Sequence, residues 1–317
     1  MSAAPVLVEL VRSGVVESAH RASVVALRPD GSVALSLGVV DRPVFPRSSN
    51  KPLQALGLLD AGWQPVDQEV LAIATASHSG EDRHLDVVRR SLAAAGLTEA
   101  ALQCPPLLPL SEPAAHALLA AGGVASSLTM NCSGKHAAML ATCVENGWSI
   151  EDYLRPDHPV QRALTATIAN LAGEPVAHIA VDGCGAPQHA LTLTGLARSF
   201  ATLATRPGAG HAVAQAMRAH PWLVGGTDRD VTALHEGIDG LVCKDGAEGV
   251  YAAALPDGSA VAAKVADGAT RAAVLVLVGG LRALGVSAPV LDRLASAPVL
   301  GGGVPVGELR LAGPLAS

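Results

Sequence analysis

Two β-hairpin signals of the same design, one near each end of the chain, constrain this sequence more than any other feature. Ala22–Leu27 and Ser32–Leu37 flank Pro29-Asp30-Gly31, and Gly249–Leu255 and Ser259–Val265 flank Pro256-Asp257-Gly258. Proline and glycine supply the dihedrals that reverse a chain, and the flanking runs are rich in strand-forming residues. Between the hairpins the apolar spacing is helical. From Arg83 to Ala95 one stripe carries Leu85, Val88 and Leu92 while Asp86, Arg89 and Arg90 lie off it, and Gly96 ends the run. Lys135–Glu145, Pro159–Leu171 and Ala269–Leu284 read as further helices. Strands at both ends with helices between predict one sheet built from both ends of the chain, with a helical middle region against it. The fold class expected is therefore α+β.

The 317 residues suit one or two domains at ~150 residues each. No linker rich in Ser, Pro or Gly divides them, so a single catalytic domain over residues 1–317 is expected. The Gly301–Gly303 stretch reads as a turn, with too short a tail beyond it for another domain. Hydrophobic residues make up 50% of the chain, but only three Trp, two Tyr and two Phe are among them. A core of Ala, Gly and Leu must bring backbones close together, since few rings exist to fill gaps.

Charge and cysteine usage narrow the function classes. The net charge is −6 with no basic run, which argues against a nucleic-acid partner. No leader-like segment opens the sequence, and Ala272–Leu281 is far shorter than the ~20 apolar residues that span a bilayer. A cytoplasmic protein without membrane attachment is expected. The five cysteines, Cys104, Cys132, Cys143, Cys184 and Cys243, are an odd number, which does not suit a disulfide framework.

Several short strings can carry chemistry. Arg47-Ser48-Ser49-Asn50-Lys51-Pro52 contains Ser-x-x-Lys ahead of a helical pattern. Residues three apart at a helix start share a face, so the Ser48 hydroxyl and the Lys51 amine can approach. A serine hydroxyl needs a base to become a nucleophile, and a neutral lysine amine in a dry site can serve. Taken alone, the same string is more simply a serine cap beside a solvated lysine. Ser77-His78-Ser79-Gly80-Glu81-Asp82 is a polar turn between an apolar segment and a helix, a place where active-site groups concentrate; Ser79 with Asp82 also fits a capping box.

Two cysteine strings follow. Cys132 precedes a helix start, where a thiolate is favoured, and Cys184 lies in Asp182-Gly183-Cys184-Gly185 after the strand-like Val176–Val181. The residues alone favour buried structural thiols over a metal pair, because two cysteines fall short of a four-ligand set. Finally, Lys244-Asp245-Gly246 opens a late strand. A Lys-x-Gly there, with Ser-x-x-Lys near the start and helices between, follows the order found in penicillin-recognising enzymes. Lys264, among alanines on its strand, is a weaker candidate of the same kind.

In order along the chain, Arg47–Pro52, Ser77–Glu81, Asn131-Cys-Ser-Gly-Lys-His136, Val181–Pro187 and Lys244–Gly249 resemble the rhizobial-type (class 3) L-asparaginases, the asparaginase II family, and the likeness runs from Val6 to about Leu284. The resemblance implies a three-layer fold like that of serine β-lactamases and serine glutaminases. It implies hydrolysis of L-asparagine to L-aspartate and ammonia by two Ser-Lys tandems, Ser48 with Lys51 and Ser79 with Lys244, with Lys264 as the alternative to Lys244. Arg47, Asp182 and Lys135, with Gly80 and Glu81 of the Ser-His-Ser-Gly-Glu turn, are then substrate-binding. In that scheme Asp182 meets the α-ammonium, and Arg47 the α-carboxylate. It also implies a Zn2+ ion on Cys132, Lys135 and Cys184 that orders or modulates the site without activating the attacking water, and a homodimer. The rivals are a glutaminase, another Ser-x-x-Lys amidohydrolase such as a β-lactam hydrolase, and a metal-binding relative without turnover.

Overall fold

A computed structural model describes residues 4–316. Its strands are β1 (Val6–Arg12), β2 (Val15–Leu27), β3 (Val33–Leu37), β4 (His178–Val181), β5 (Pro187–Ala190), β6 (Val242–Gly246), β7 (Val250–Ala254), β8 (Ala260–Val265), β9 (Ser296–Gly301) and β10 (Val304–Leu311). The helices of the first half are α1 (Lys51–Asp60), α2 (Gln68–Ala74), α3 (Asp82–Ala94), α4 (Glu112–Ala120), α5 (Ser133–Glu145) and α6 (Pro159–Ala172). Those of the second half are α7 (Leu193–Thr205), α8 (Ala209–Ala219), α9 (Pro221–Val224), α10 (Asp230–Gly237), α11 (Thr270–Ala283) and α12 (Pro289–Leu294).

Both hairpins form. β2 pairs antiparallel with β3, and β7 with β8. They join through β2 and β8 in an eight-stranded sheet of order β6-β7-β8-β2-β1-β10-β9, with β3 beside β2. The chain ends thus meet in one sheet and the helical stretch α1–α10 lies between them, interrupted only by the two-stranded β4-β5 ribbon. Every residue of β7 is buried. Successive strand residues face opposite sides, so the sheet there is covered on both faces. Helices α7 and α11 each contact β2, β7 and β8, which gives helix, sheet and helix in three layers.

Small residues make this close approach possible. The facing strands read Val-Tyr-Ala-Ala-Ala and Ala-Val-Ala-Ala-Lys-Val. On α11, a Cβ at Gly280 would stand 2.5 Å from the Val261 side chain, so the helix backbone rests almost directly on the sheet. The apolar side chains form one continuous buried cluster.

The sequence reading missed the last hairpin. Gly301–Gly303 is a turn, but β9 and β10 flank it, and β10 pairs with β1 from Val8↔Leu311 to Arg12↔Gly307. Pro298 and Pro305, and a partly exposed face, hide the strand pattern there. The capping box expected from Ser79 and Asp82 does not form either. The N-cap of α3 is Glu81, without a side-chain bond. No described helix is long and apolar enough to cross a membrane.

Candidate active site

Ser48 sits in a single 3-10 turn, Arg47–Asn50, that runs directly into α1. Pro52 fits the first turn of α1, where its missing N–H is not needed. Arg47 has φ of +54°, a left-handed conformation that costs energy for any residue with a side chain. The wall against the turn is the end of β6. Gly246 lies so close that a Cβ there would collide with the Pro46 carbonyl and stand 3.2 Å from the Ser49 nitrogen. Here glycine is required for the strand to reach the serine turn at all.

Between these elements lies a cleft of about 650 Å³ lined by Ser48, Ser77, Asn131, Arg229, Asp230, Asp245, Gly246, Ala247 and Tyr251, among others. Ser48 is half-buried there, and its hydroxyl makes no hydrogen bond among the described residues. Lys51 is 1% exposed. Its Nζ donates to Ala76 O (2.5 Å), Ser77 Oγ (3.1 Å) and Asn131 O (3.4 Å). Among the described residues the serine hydroxyl bonded to Lys51 is therefore that of Ser77; Ser48 stands three residues before Lys51 in the chain and makes no hydrogen bond to it.

Ser79, the expected second serine, is elsewhere. Its hydroxyl donates to Gly225 O at 2.9 Å, and its Cβ and Oγ press on Gly226, whose φ is +131°. Glu81 accepts from Thr227 N (2.9 Å) and Thr227 Oγ1 (2.7 Å). Ser79 and Glu81 thus clamp the loop that presents Arg229 and Asp230 to the cleft. Gly80, at φ of +77°, lies against Pro109. None of the three lines the cleft beside Ser48.

Lys244 and Lys264 are now distinguishable. Lys244 is fully buried, paired through its Nζ with the Asp245 carboxylate and carbonyl. Burial pushes its ammonium down to about 8, against the pull of Asp245 and with a push from Lys51. Burial pushes Asp245 up, but Lys244 and Arg229 outweigh it and hold that carboxyl down at about 2. Arg229 donates to Asp245 Oδ2 at 2.8 Å and to Ser77 O at 3.3 Å. Lys264 instead donates to Glu248 O and Val265 O, both at 2.6 Å, and lines a separate cavity with Arg47 and Glu248.

Arg47 and Asp182 are bonded to each other, Nε to Oδ1 at 2.7 Å. Gly183 N also donates to Asp182 Oδ1. In the amide orientation that satisfies both partners, Gln188 donates to Asp182 Oδ2 and accepts from the Arg47 backbone nitrogen. The pair ties the serine turn to the β4-β5 ribbon.

Next to this ribbon lies a buried thiol cluster. All five cysteines are free and buried. Cys132 is the N-cap of α5, and Lys135 Nζ stands 3.0 Å from Cys184 Sγ. The Cys184 thiol is shifted down and the Cys132 thiol up, the reverse of what the helix start suggested. A hydrogen bond from Cys132, with the Lys135 charge and His136, outweighs burial and holds the Cys184 thiol far below its usual range. Cys132 is pushed well up, by that same bond and by burial. Burial alone would lower Lys135; the Cys184 thiolate more than reverses it. His136 Nδ1 and Tyr153 Oη are hydrogen-bonded at 2.7 Å, and the buried His136 Nε2 has no hydrogen-bond partner among the described residues. No group of three or more His, Cys, Asp or Glu suited to a metal gathers among those residues. Two sulfurs and a lysine nitrogen do meet here, and that soft donor set suits zinc.

Ser77, Arg229, Asp230, Asp245 and Tyr251 enter the cleft without having been singled out as site residues from the sequence. The charged run Thr227-Asp228-Arg229-Asp230 after Gly225-Gly226 was the signal available for two of them. A polar run behind a glycine pair is a loop that can face a pocket.

Among known proteins, no curated sequence matches the chain. A β-lactamase crystal structure from Mycobacterium bovis aligns with 78% of this chain and 88% of its own, at 14% identity and a TM-score of 0.41. The family profile described as L-asparaginase II matches residues 8–311, beyond the Leu284 limit read from the strings and through the final hairpin. With the match running from β1 to the last residue of β10, the chain belongs to the L-asparaginase II family.

Proposed function

We propose that the protein hydrolyses L-asparagine to L-aspartate and ammonia through an acyl-enzyme on Ser48. The observation that carries this reading is the buried Lys51 Nζ. It lies one turn from Ser48, in hydrogen-bond contact with Ser77 Oγ, at the edge of a cleft that both serines line. Family membership supports an amidohydrolase acting on a small amide. Lys51, neutral when substrate is bound, takes the Ser48 proton as Ser48 Oγ attacks the side-chain carbonyl. The backbone N–H groups of Ser48 and Ala247, from the serine turn and the strand end, hold the oxyanion. Ser77, bonded to Lys51, carries a proton onward to the leaving nitrogen, in place of Ser79. Ammonia leaves, and water hydrolyses the ester with Lys51 again as base. Lys244, with its Asp245 and Arg229 partners, sets the field of the wall behind the reaction. Arg47 and Asp182 hold the serine turn in place.

The donor set fits the zinc that the family likeness implies. Cys132, Lys135 and Cys184 would hold the ion, with His136 behind them. When bound, it would supply a cross-link between the start of α5 and the β4-β5 ribbon. Cys184→Ser is expected to lose bound zinc, measured by metal analysis of purified protein, and to unfold at a lower temperature than the zinc-loaded parent. Zinc retained at parental stoichiometry would remove Cys184 from the ligand set. The resemblance also suggests that the chain works as a homodimer.

The activity is tested by measuring ammonia release from L-asparagine and L-glutamine side by side, with a chromogenic β-lactam as third substrate. Asparagine is expected to lead in kcat/KM by about tenfold or more, because one added methylene misplaces the carbonyl against a fixed oxyanion site. Equal turnover of glutamine would overturn the substrate assignment.

A further inference from the structure

The inner wall of the cleft carries two polar groups that the mechanism leaves unused. Tyr251 on β7 stands directly across from Asp245 on β6, since the register pairs these two residues. It lines the cleft and is 1% exposed, yet its Oη has no hydrogen-bond partner among the described residues. The nearby Cys243 thiol is bonded instead to Val231 O and His235 Nδ1. A buried hydroxyl without a good partner costs free energy unless something else satisfies it. Asp230, the first residue of α10, lines the same wall. Its Oδ1 accepts from its own helix, Val231 N at 2.8 Å, and its Oδ2 has no partner among the described residues. The neighbouring cations are committed elsewhere. Arg229 gives its terminal nitrogens to Ser77 O and Asp245 Oδ2, and Lys244 is held by Asp245.

We propose that Asp230 and Tyr251 form the subsite that receives the α-ammonium group of the substrate. This takes its ligand from the asparagine reading above and adds the residues that select an α-amino acid over a plain amide. An ammonium group brings a positive charge and N–H donors. Asp230 Oδ2 supplies the countercharge, and Tyr251 Oη a second acceptor. Burial and the Asp245 charge both push the Asp230 carboxyl up, and an ammonium against it offsets both. Asp182 already accepts from Arg47, Gly183 and Gln188, and its charge is met by the Arg47 guanidinium before any substrate arrives.

The test is calorimetric titration of the intact chain with L-aspartate and with succinate, which is the same dicarboxylate without the ammonium group. The parent is expected to prefer aspartate by about tenfold or more, the worth of one charge-assisted contact. Asp230→Asn should bring the two ligands within about twofold of each other, and Tyr251→Phe should shrink the preference by about threefold. Succinate affinity reports whether each variant keeps its pocket. A parent without preference, or variants that keep it, would overturn the subsite. Turnover is not part of this readout. Selective aspartate binding without ammonia release would defeat the hydrolysis reading alone; ammonia release with an undiminished preference in Asp230→Asn would defeat the subsite alone.

Discussion

Ser48→Ala is expected to lower kcat for asparagine by roughly 10⁴-fold or more, the scale on which removing a nucleophile acts. Its thermal unfolding should stay within about 1 °C of the parent, a shift under about 1 kcal/mol for a chain of this size. The Ser48 hydroxyl makes no hydrogen bond among the described residues, so its removal strands no partner. Lys51→Met should lose turnover as well but differ in stability. The Ala76 carbonyl and the Ser77 hydroxyl accept from Lys51 Nζ and have no other donor among the described residues, while the Asn131 carbonyl keeps His78 N. Stranding buried acceptors costs about 1–3 kcal/mol each. Calorimetric melting beside ammonia assays separates the two variants. Undiminished activity in Ser48→Ala would remove the acyl-enzyme altogether.

The second expectation sets two neighbouring serines against each other. Ser77→Ala should reduce kcat by about 10²- to 10⁴-fold, the span typical of a group that moves a proton in the transition state. Ser79→Ala should act mainly on stability, by about 0.5–1.5 kcal/mol. Its hydroxyl donates to Gly225 O, which also accepts from Ser79 N at 2.9 Å and so keeps a partner. Single-turnover kinetics and melting curves on both variants give the answer. If Ser79→Ala is inactive while Ser77→Ala turns over normally, the relay belongs to Ser79.

That contrast shows where the sequence stops being readable. The string Ser77-His78-Ser79 announces a reactive turn, and spacing alone does not choose between its serines. The choice is made by direction. The chain leaving α2 turns Ala76 O and Ser77 Oγ toward Lys51, then sends Ser79 to the Gly225–Gly226 loop. Both outer hairpins and the main helices were legible, because hydrophobic period and turn residues are local properties. The β9–β10 hairpin was not, since two prolines and a triple glycine mask its strands. The inner wall was hidden for another reason. Asp230, Asp245 and Tyr251 come from three elements, and only the β6–β7 register and the seat of α10 bring them together. The thiol cluster was legible as a pair of strings, but which sulfur carries the charge depends on Lys135 reaching Cys184.

The contact of Gly246 with the serine turn has a consequence for how the protein is made. Ser48 and Lys51 leave the ribosome early, while the strand end that walls them in is translated only after α10. At ~5–20 residues per second, the serine turn waits on the order of ten to forty seconds for its other half. Through that interval β2 has β1 and β3 beside it but lacks β8, and β1 lacks β10 on its other edge. The nascent chain is therefore catalytically silent and exposes unpaired strand edges, so its yield in cells should depend on holdase chaperones more than the stability of the finished fold would suggest.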